Sequence, residues 1–316
     1  MIEVIKKLNE STSVAILTHI SEDGDCMGSA FAMAAALRKT GKSATIYVSA
    51  KVEERLGFLG DGYIIYSPEK LGEHDLCLCV DCGDIKRLGD RAEIMKKINN
   101  SVSIDHHYTN TMYADVNYVE GNASSTGEII YKLLIAMNVE IDKEIALYLY
   151  TAISSDTGSF KFSSTSPDTM HTAAALLGYG IDHAEIARLL FDTYKLEEVK
   201  FRAALMSQVE SYEDGRISVL AFEADMAEKF NIRPEDIPEV VDIPRSIAKT
   251  EIAVVLKRTN GEVRVNLRSN GDADVSKIAS EFGGGGHIKA AGFRVKDAEL
   301  DTVKEKVIEF AKKAIN

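Results

Sequence analysis

The chain has 316 residues, 45% of them hydrophobic and 27% charged, which is enough for two domains with separate cores, and no apolar run approaches the length a bilayer demands. The net charge of −12 is unevenly placed, with 20 Lys and Arg against 30 Asp and Glu in residues 1–212 and 17 against 19 in residues 213–316. Such an acidic balance excludes a long nucleic acid as partner, because counterion release gains little there, but leaves open small phosphate-bearing ligands wherever bound cations reverse the local field.

The first residues, Met1 to Leu8, are amphipathic at helical spacing and lack the apolar core of a signal peptide, which predicts a cytoplasmic protein. Val14 to Thr18 reads as a buried strand. The loop His19 to Asp25 then leads into an Ala-rich helix from Gly28 that stops at Gly41, and Ser43 to Val48 forms a second strand. Leu76–Val80 and Ser101–Ile104 supply two more, with a helix expected over Ile85–Ile98. Strands alternating with helices in this way predict an α/β fold built on a doubly wound, mostly parallel sheet. The four cysteines, Cys26, Cys77, Cys79 and Cys82, fall in this half. No second cysteine pair completes a tetrahedral zinc set, so they are expected to be small core residues in a reducing compartment.

Beyond Asp105 the pattern turns helical. Ser124-Ser125-Thr126-Gly127-Glu128 is a cap signal opening Ile129–Met137, Lys143–Ser154 is apolar nearly all round, and Ser166-Pro167-Asp168 starts a helix that Gly180 ends. Residues 186–214 read as a helical connector between a first domain at 1–185 and a second, smaller α/β domain at 215–316. In the latter, Arg216–Phe222, Glu251–Lys257 and Glu262–Arg268 are expected strands, the last two joined by the hairpin pair Asn260-Gly261. Val275–Phe282 and Asp301–Ala314 are expected helices. Gly283-Gly284-Gly285-Gly286-His287 lies between the first of these helices and a last strand at Gly292–Val295.

Four segments share one design, an apolar run that ends in acids or histidines. They end at His19 with Asp23-Gly24-Asp25, at Asp81, at Asp105-His106-His107 and at Asp156-Thr157-Gly158. An exposed His-His pair or a short acidic pair is ordinarily a solvated loop, yet a buried unpaired carboxylate is costly and is normally paired or metal-bound. The loop from His19 offers His19 and Asp23 to one ion and Asp25 to a second. Imidazole with carboxylate suits Mn²⁺ first, with Mg²⁺, Fe²⁺ or Co²⁺ as alternatives. Two such ions about 3.5–4 Å apart make a hydrolytic centre for phosphoesters. Asp105 is expected to orient His106, leaving His107 to face the substrate.

These residues resemble the DHH phosphoesterases. His19-x-x-x-Asp23-x-Asp25, Asp81, Asp105-His106-His107 and Asp156 fall in the order and approximate spacing of that family's metal motifs. Gly284-Gly285-Gly286-His287 is similar to the glycine-histidine motif of its commonest C-terminal partner domain, so the likeness covers nearly the whole chain. By this resemblance His19 and Asp23 hold one ion, Asp25 and His106 the other, Asp81 and Asp156 lie at or near the bridge, and His107 touches the scissile phosphate. The two-domain length resembles the branch that degrades very short RNA, linear dinucleotides such as pApA and 3′-phosphoadenosine 5′-phosphate (pAp), with the active site in the cleft between the domains. One departure is Glu22, where the family usually has proline before the first aspartate. It is read as a solvated side chain.

A run of four glycines is often only a hinge. Here it reads as a loop whose backbone N–H groups, with His287, approach a nucleotide phosphate, and the resemblance gives Arg268 and Ser269 the substrate's non-scissile phosphate. The expected partners are therefore nucleotides of a few residues, with the second domain setting their length, and a homodimer is the default assembly. Two rival functions fit the same residues, an inorganic pyrophosphatase or polyphosphatase and a non-catalytic nucleotide-binding regulator.

Overall fold

Six strands lie side by side in one wholly parallel sheet: β1 (Ser13–Leu17), β2 (Ser43–Val48), β3 (Tyr63–Ile65), β4 (Leu76–Val80), β5 (Ser101–Asp105) and β6 (Val116–Val119). Their order is β3-β2-β1-β4-β5-β6. The direction of winding reverses between β1 and β4, and that reversal opens a crevice at the carboxyl ends of these two strands. His19 follows β1 by two residues and Asp81 follows β4 by one, so both land at its mouth.

The computed structural model describes residues 1–237 and 240–315. The chain divides into two units, Met1–Thr193 and Tyr194–Asn316. In the first, α1 (Ile2–Glu10), α2 (Gly24–Lys39), α3 (Ala92–Ile98), α4 (Thr126–Ala136), α5 (Lys143–Asp156), α6 (Pro167–Leu177) and α7 (His183–Phe191) surround the sheet. Alternation along the strands sorts its two faces. Val14, Ile16, Leu78 and Val80 join the core with α2, α4 and α5, while Ala15, Leu17, Cys77 and Cys79 pack with Leu88 and Ile94 on the other side. Each large aliphatic buried there contributes about 1.5–3 kcal/mol. Helix α2 runs through the core and touches α5 backbone to backbone at Gly28, where a Cβ would lie 2.5 Å from the Tyr148 carbonyl oxygen and 2.9 Å from Ala152 N.

The second unit holds α8 (Leu196–Met206), β7 (Glu210–Tyr212), β8 (Ile217–Glu223), α9 (Asp242–Arg245), β9 (Ile252–Thr259), β10 (Glu262–Ser269), α10 (Val275–Glu281), β11 (Gly285–His287), β12 (Ala290–Lys296) and α11 (Leu300–Ile315). Its sheet runs β11-β12-β10-β9-β8-β7, antiparallel except for β8 beside β9. The β9–β10 hairpin turns at Asn260 and Gly261, both at positive φ (49° and 78°), as a tight right-twisted turn requires. The residues read as a connector divide between the units: Ile186 and Leu190 of α7 join the first core, and Phe201 and Leu205 of α8 join a cluster in the second.

Three local expectations differ from the structure. The helix expected over Ile85–Ile98 is a 3₁₀ segment at Ile85–Arg91 followed by α3, because Gly89 turns to φ 59° and breaks it. The edge strands β3 and β6, three and four residues long and nowhere fully buried, add to the strands expected, and β6 interrupts the helical pattern expected beyond Asp105. Part of the glycine run is strand β11 rather than loop. Among the described residues no helix is long and apolar enough to cross a membrane.

Candidate metal centre

Helix α2 begins at the crevice, and its cap residue Asp23 accepts a hydrogen bond from Cys26 N through Oδ1 (3.0 Å) while Oδ2 lies 3.7 Å from His19 Nε2. Two residues on, Asp25 is buried, and its carboxylate is gripped by the first turn of α4, with Thr126 N at 2.7 Å and Gly127 N at 2.9 Å. Gly127 is required for this approach, since a Cβ there would come within 2.4 Å of Ala152 Cβ. The α4 start is in turn fixed by Ser125, whose hydroxyl oxygen accepts from Glu128 N, and by Glu128, which accepts from Ser124 N and Oγ.

Asp81 sits at the centre of the cluster. It follows β4 in a left-handed conformation (φ 56°), a strained choice for a residue with a side chain. One carboxylate oxygen lies 3.5 Å from His19 Nε2 and the other 3.6 Å from His106 Nε2. Thr126 Oγ1 donates to Asp81 at 3.0 Å. His106 Nε2 is also 3.5 Å from Asp156 Oδ2, at the end of α5, and 3.9 Å from Asp25 Oδ2. The six side chains therefore form two groups that share Asp81: His19 and Asp23 on one side, Asp25, His106 and Asp156 on the other.

Among the described residues no Lys or Arg forms an ion pair with Asp25, Asp81 or Asp156, and the electrostatics reflect it. Burial, and after it the Asp81, Asp156 and Asp23 charges, push the Asp25 carboxyl well above the usual range. Burial, with Asp81 and Asp23, brings Asp156 up to about 6 against a pull from His106. Burial works against a charged His19, but Cys26, Asp23 and Asp81 outweigh it and hold the imidazole well above its ordinary value. A site that recruits protons onto clustered carboxylates is one that divalent cations fit. Cys26 also borders His19 and Asp81; burial pushes its thiol up to about 12 against a pull from His19, and its Sγ lies 3.8 Å from the Val80 carbonyl oxygen.

Asp105 differs from expectation. Its carboxylate takes His107 Nδ1 at 2.7 Å, His106 only by its backbone N–H at 3.0 Å, and Asn110 Nδ2 at 2.6 Å. It therefore orients His107, and His106 Nδ1 points instead to the Ala123 carbonyl at 3.4 Å. Glu22 differs too. It is buried, not solvated, and accepts from Ser49 N (2.6 Å), Ser49 Oγ (2.9 Å) and Thr18 Oγ1 (3.0 Å), with Arg91 at 3.8 Å. The side chain anchors the His19–Asp25 loop to the end of β2 in the position where proline would stiffen it by its ring.

In the second unit, Arg268, Ala290 and His287 occupy one cross-strand row over β10, β12 and β11. Ser269 Oγ donates to the Gly271 carbonyl at 3.0 Å, which commits its proton to the turn after β10. Packing alone demands glycine at Gly284 and Gly286. Their Cβ atoms would meet the Gly292 carbonyl at 2.4 Å and the Ala290 carbonyl at 2.5 Å. Gly285 has open space above it.

The DHH family's N-terminal domain profile matches residues 13–153, and the DHHA1 domain profile matches residues 215–314. A bifunctional oligoribonuclease and PAP phosphatase NrnA of Thermus thermophilus is 31% identical over 313 residues, covering 97% of this chain and 91% of that protein. The Bacillus subtilis protein of the same name is 28% identical over 302 residues, covering 92% and 91%. Among solved structures, an exopolyphosphatase-related protein from Bacteroides fragilis superposes with a TM-score of 0.90 at 24% identity, covering 99% of this chain and 97% of that one, a likeness of fold.

Proposed function

The chain belongs to the DHH family, and from that premise we propose that it is a divalent-metal phosphoesterase that hydrolyses short oligoribonucleotides, linear dinucleotides such as pApA, and pAp. The observation that carries this reading is Asp81, whose two carboxylate oxygens face two histidines from different strands with a further acid beyond each. His19, Asp23 and Asp81 would hold one ion, and Asp25, His106 and Asp156, with Asp81 shared, the other. Mn²⁺ is the ion these donors favour. When bound, the ions supply a nucleophilic water at neutral pH and neutralise charge developing on the phosphoryl group.

The protein's own groups do the rest. Thr126 N, Gly127 N and Thr126 Oγ1 fix the Asp25 and Asp81 carboxylates so that their free lone pairs point into the crevice. The Asp105 carboxylate raises His107 above its ordinary pKa, against burial, and so keeps a proton on Nδ1 and favours one on Nε2. His107 is one-third exposed and can donate from Nε2 to a phosphoryl oxygen. Arg268, with His287 and the backbone at Gly285 and Gly286, takes the substrate's non-scissile phosphate, the guanidinium fork matching two of its oxygens, while Ser269 and Gly284, whose donors are committed to Gly271, Lys289 and Ala279, hold the shape of the strand end and the glycine turn.

The test is a parallel assay with Mn²⁺ on pApA, pAp, a two- to five-residue RNA and inorganic pyrophosphate. Cleavage of the nucleotides with pyrophosphate left intact supports the proposal. Cleavage of pyrophosphate alone would make the protein a pyrophosphatase, and tight nucleotide binding without turnover would make it a regulator.

A further inference from the structure

The sheet of the second unit has two unlike faces. Along β10, Val263, Val265 and Leu267 pack with α10 and α11, so the alternate residues Arg264, Asn266 and Arg268 face the other way. On that opposite face the β8–β9 half is covered by Leu220, Phe222 and Val255 packed with Phe201 and Leu205 of α8. The β9–β10–β12 half carries cations instead. Lys257 stands opposite Arg264, and Arg264 opposite Arg294, which makes one cross-strand row of three positive charges.

Such a row is costly to the fold. Like charges directly opposite one another destabilise a sheet, and the Lys257 ammonium is held below its ordinary range by burial and then by Arg264 and Arg294. Glu262 meets Arg294 at 3.4 Å, but among the described residues neither Lys257 nor Arg264 forms an ion pair. The row does not follow from general composition either, since the chain as a whole is at −12. Arg268 lies four residues farther along β10, roughly 13 Å away, with Asn266 between. Opposite Asn266 and Arg268, β12 offers only Gly292 and Ala290, so no long side chain of that strand fills the space above them. A cavity of about 290 Å³ results, lined by Lys257, Arg264, Asn266 and Arg268 with Phe222 and Val255 at its apolar wall.

We propose that Lys257, Arg264 and Arg294 form a second phosphate subsite, separate from Arg268, that takes an additional phosphate of a nucleotide chain whose first phosphate is held by Arg268. The inference rests on the phosphoesterase reading and deepens it, because it makes affinity rise with the number of backbone phosphates. Asn266, between the two subsites, is placed to bond a sugar hydroxyl or a phosphate ester oxygen. Inorganic polyphosphate offers the same charges at a shorter spacing, so it separates a nucleotide-spaced subsite from a mere positive field.

The full-length protein, stripped of metal with chelator, is titrated calorimetrically with pA, pApA, pApApA and inorganic tripolyphosphate. In Lys257→Ala/Arg264→Ala, binding of pApApA is expected to weaken at least ten-fold and that of pA less than two-fold. The slope of log K against log salt for pApApA should flatten by about 0.7 for each phosphate that is no longer neutralised. Arg264→Lys should retain most of the parent's affinity, which a merely structural defect would not allow. Equal weakening of pA and pApApA, no weakening of either, or weakening confined to tripolyphosphate overturns the subsite. Binding is read here without metal or turnover, whereas failure of the phosphoesterase reading shows as intact pApA in the presence of Mn²⁺, so the two failures are distinct.

Discussion

The Asp105 carboxylate accepts a 2.7 Å hydrogen bond from His107 Nδ1, so the second histidine of the pair is aimed by the aspartate two residues before it, with Nε2 at the far edge of the ring. His107→Ala should lower kcat on pApA by about 10²–10⁴, while Asp105→Asn, which keeps the shape but loosens the aim, should cost about 10–100-fold. Metal content measured on the same His107→Ala sample should match the parent. A His107→Ala enzyme that has also lost its metal would show that the ring is a ligand.

Glu22 and Arg91 form a buried pair beneath the loop that carries His19, Asp23 and Asp25. Glu22→Ala leaves the guanidinium, none of it exposed, without this carboxylate and should destabilise the protein by about 3–5 kcal/mol. Glu22→Ala/Arg91→Met should recover part of that. Urea midpoints of the two variants make the comparison, and a double variant no more stable than the single one would mean that the ion pair does not hold the loop.

Glu128 is a pH-dependent support of the α4 start. Burial would raise its carboxyl, but Ser124, Lys132 and Thr169 bond to it and hold it below the ordinary value. A depressed folded-state pKa stabilises the protein fully above the unfolded value of about 4.3 and loses that contribution as pH falls through the lower folded value. The stability gap between the parent and Glu128→Gln should therefore be constant near pH 7 and close in more acidic solution. A gap that widens on acidification has the wrong sign.

Arg268→Ala should cost about 2–5 kcal/mol of binding to a 5′-phosphorylated dinucleotide and leave metal affinity unchanged. The readout is kcat/KM for substrates with and without the terminal phosphate. If the variant discriminates between the two as the parent does, Arg268 does not read that phosphate.

Much of the centre is legible in the sequence because of how parallel sheets are built. Buried strands read as apolar runs, and the residue after each run lands on the carboxyl edge, so His19, Asp81 and Asp105-His106 can be gathered from the sequence alone. Backbone chemistry is not legible: the grip of Thr126 N and Gly127 N on Asp25 involves amides that almost every residue carries, and only the cap signal at Ser125 and the glycine beside it hint at it. Glu22 misleads because its partners Ser49 and Arg91 are 27 and 69 positions away, and spacing along the chain says nothing of them. Nor does the sequence show that strand β12 leaves no room for a Cβ at Gly284 and Gly286.

The most direct test of a metal pair bridged by Asp81 is a titration of chelator-stripped protein with Mn²⁺, following bound metal and pApA cleavage together, in the parent and in Asp81→Ala. The parent is predicted to gain turnover as it fills to two equivalents, and Asp81→Ala, lacking the carboxylate shared by His19 and His106, to bind fewer and cleave nothing. Cleavage of pApA by the metal-free parent, or full turnover by Asp81→Ala, would contradict it.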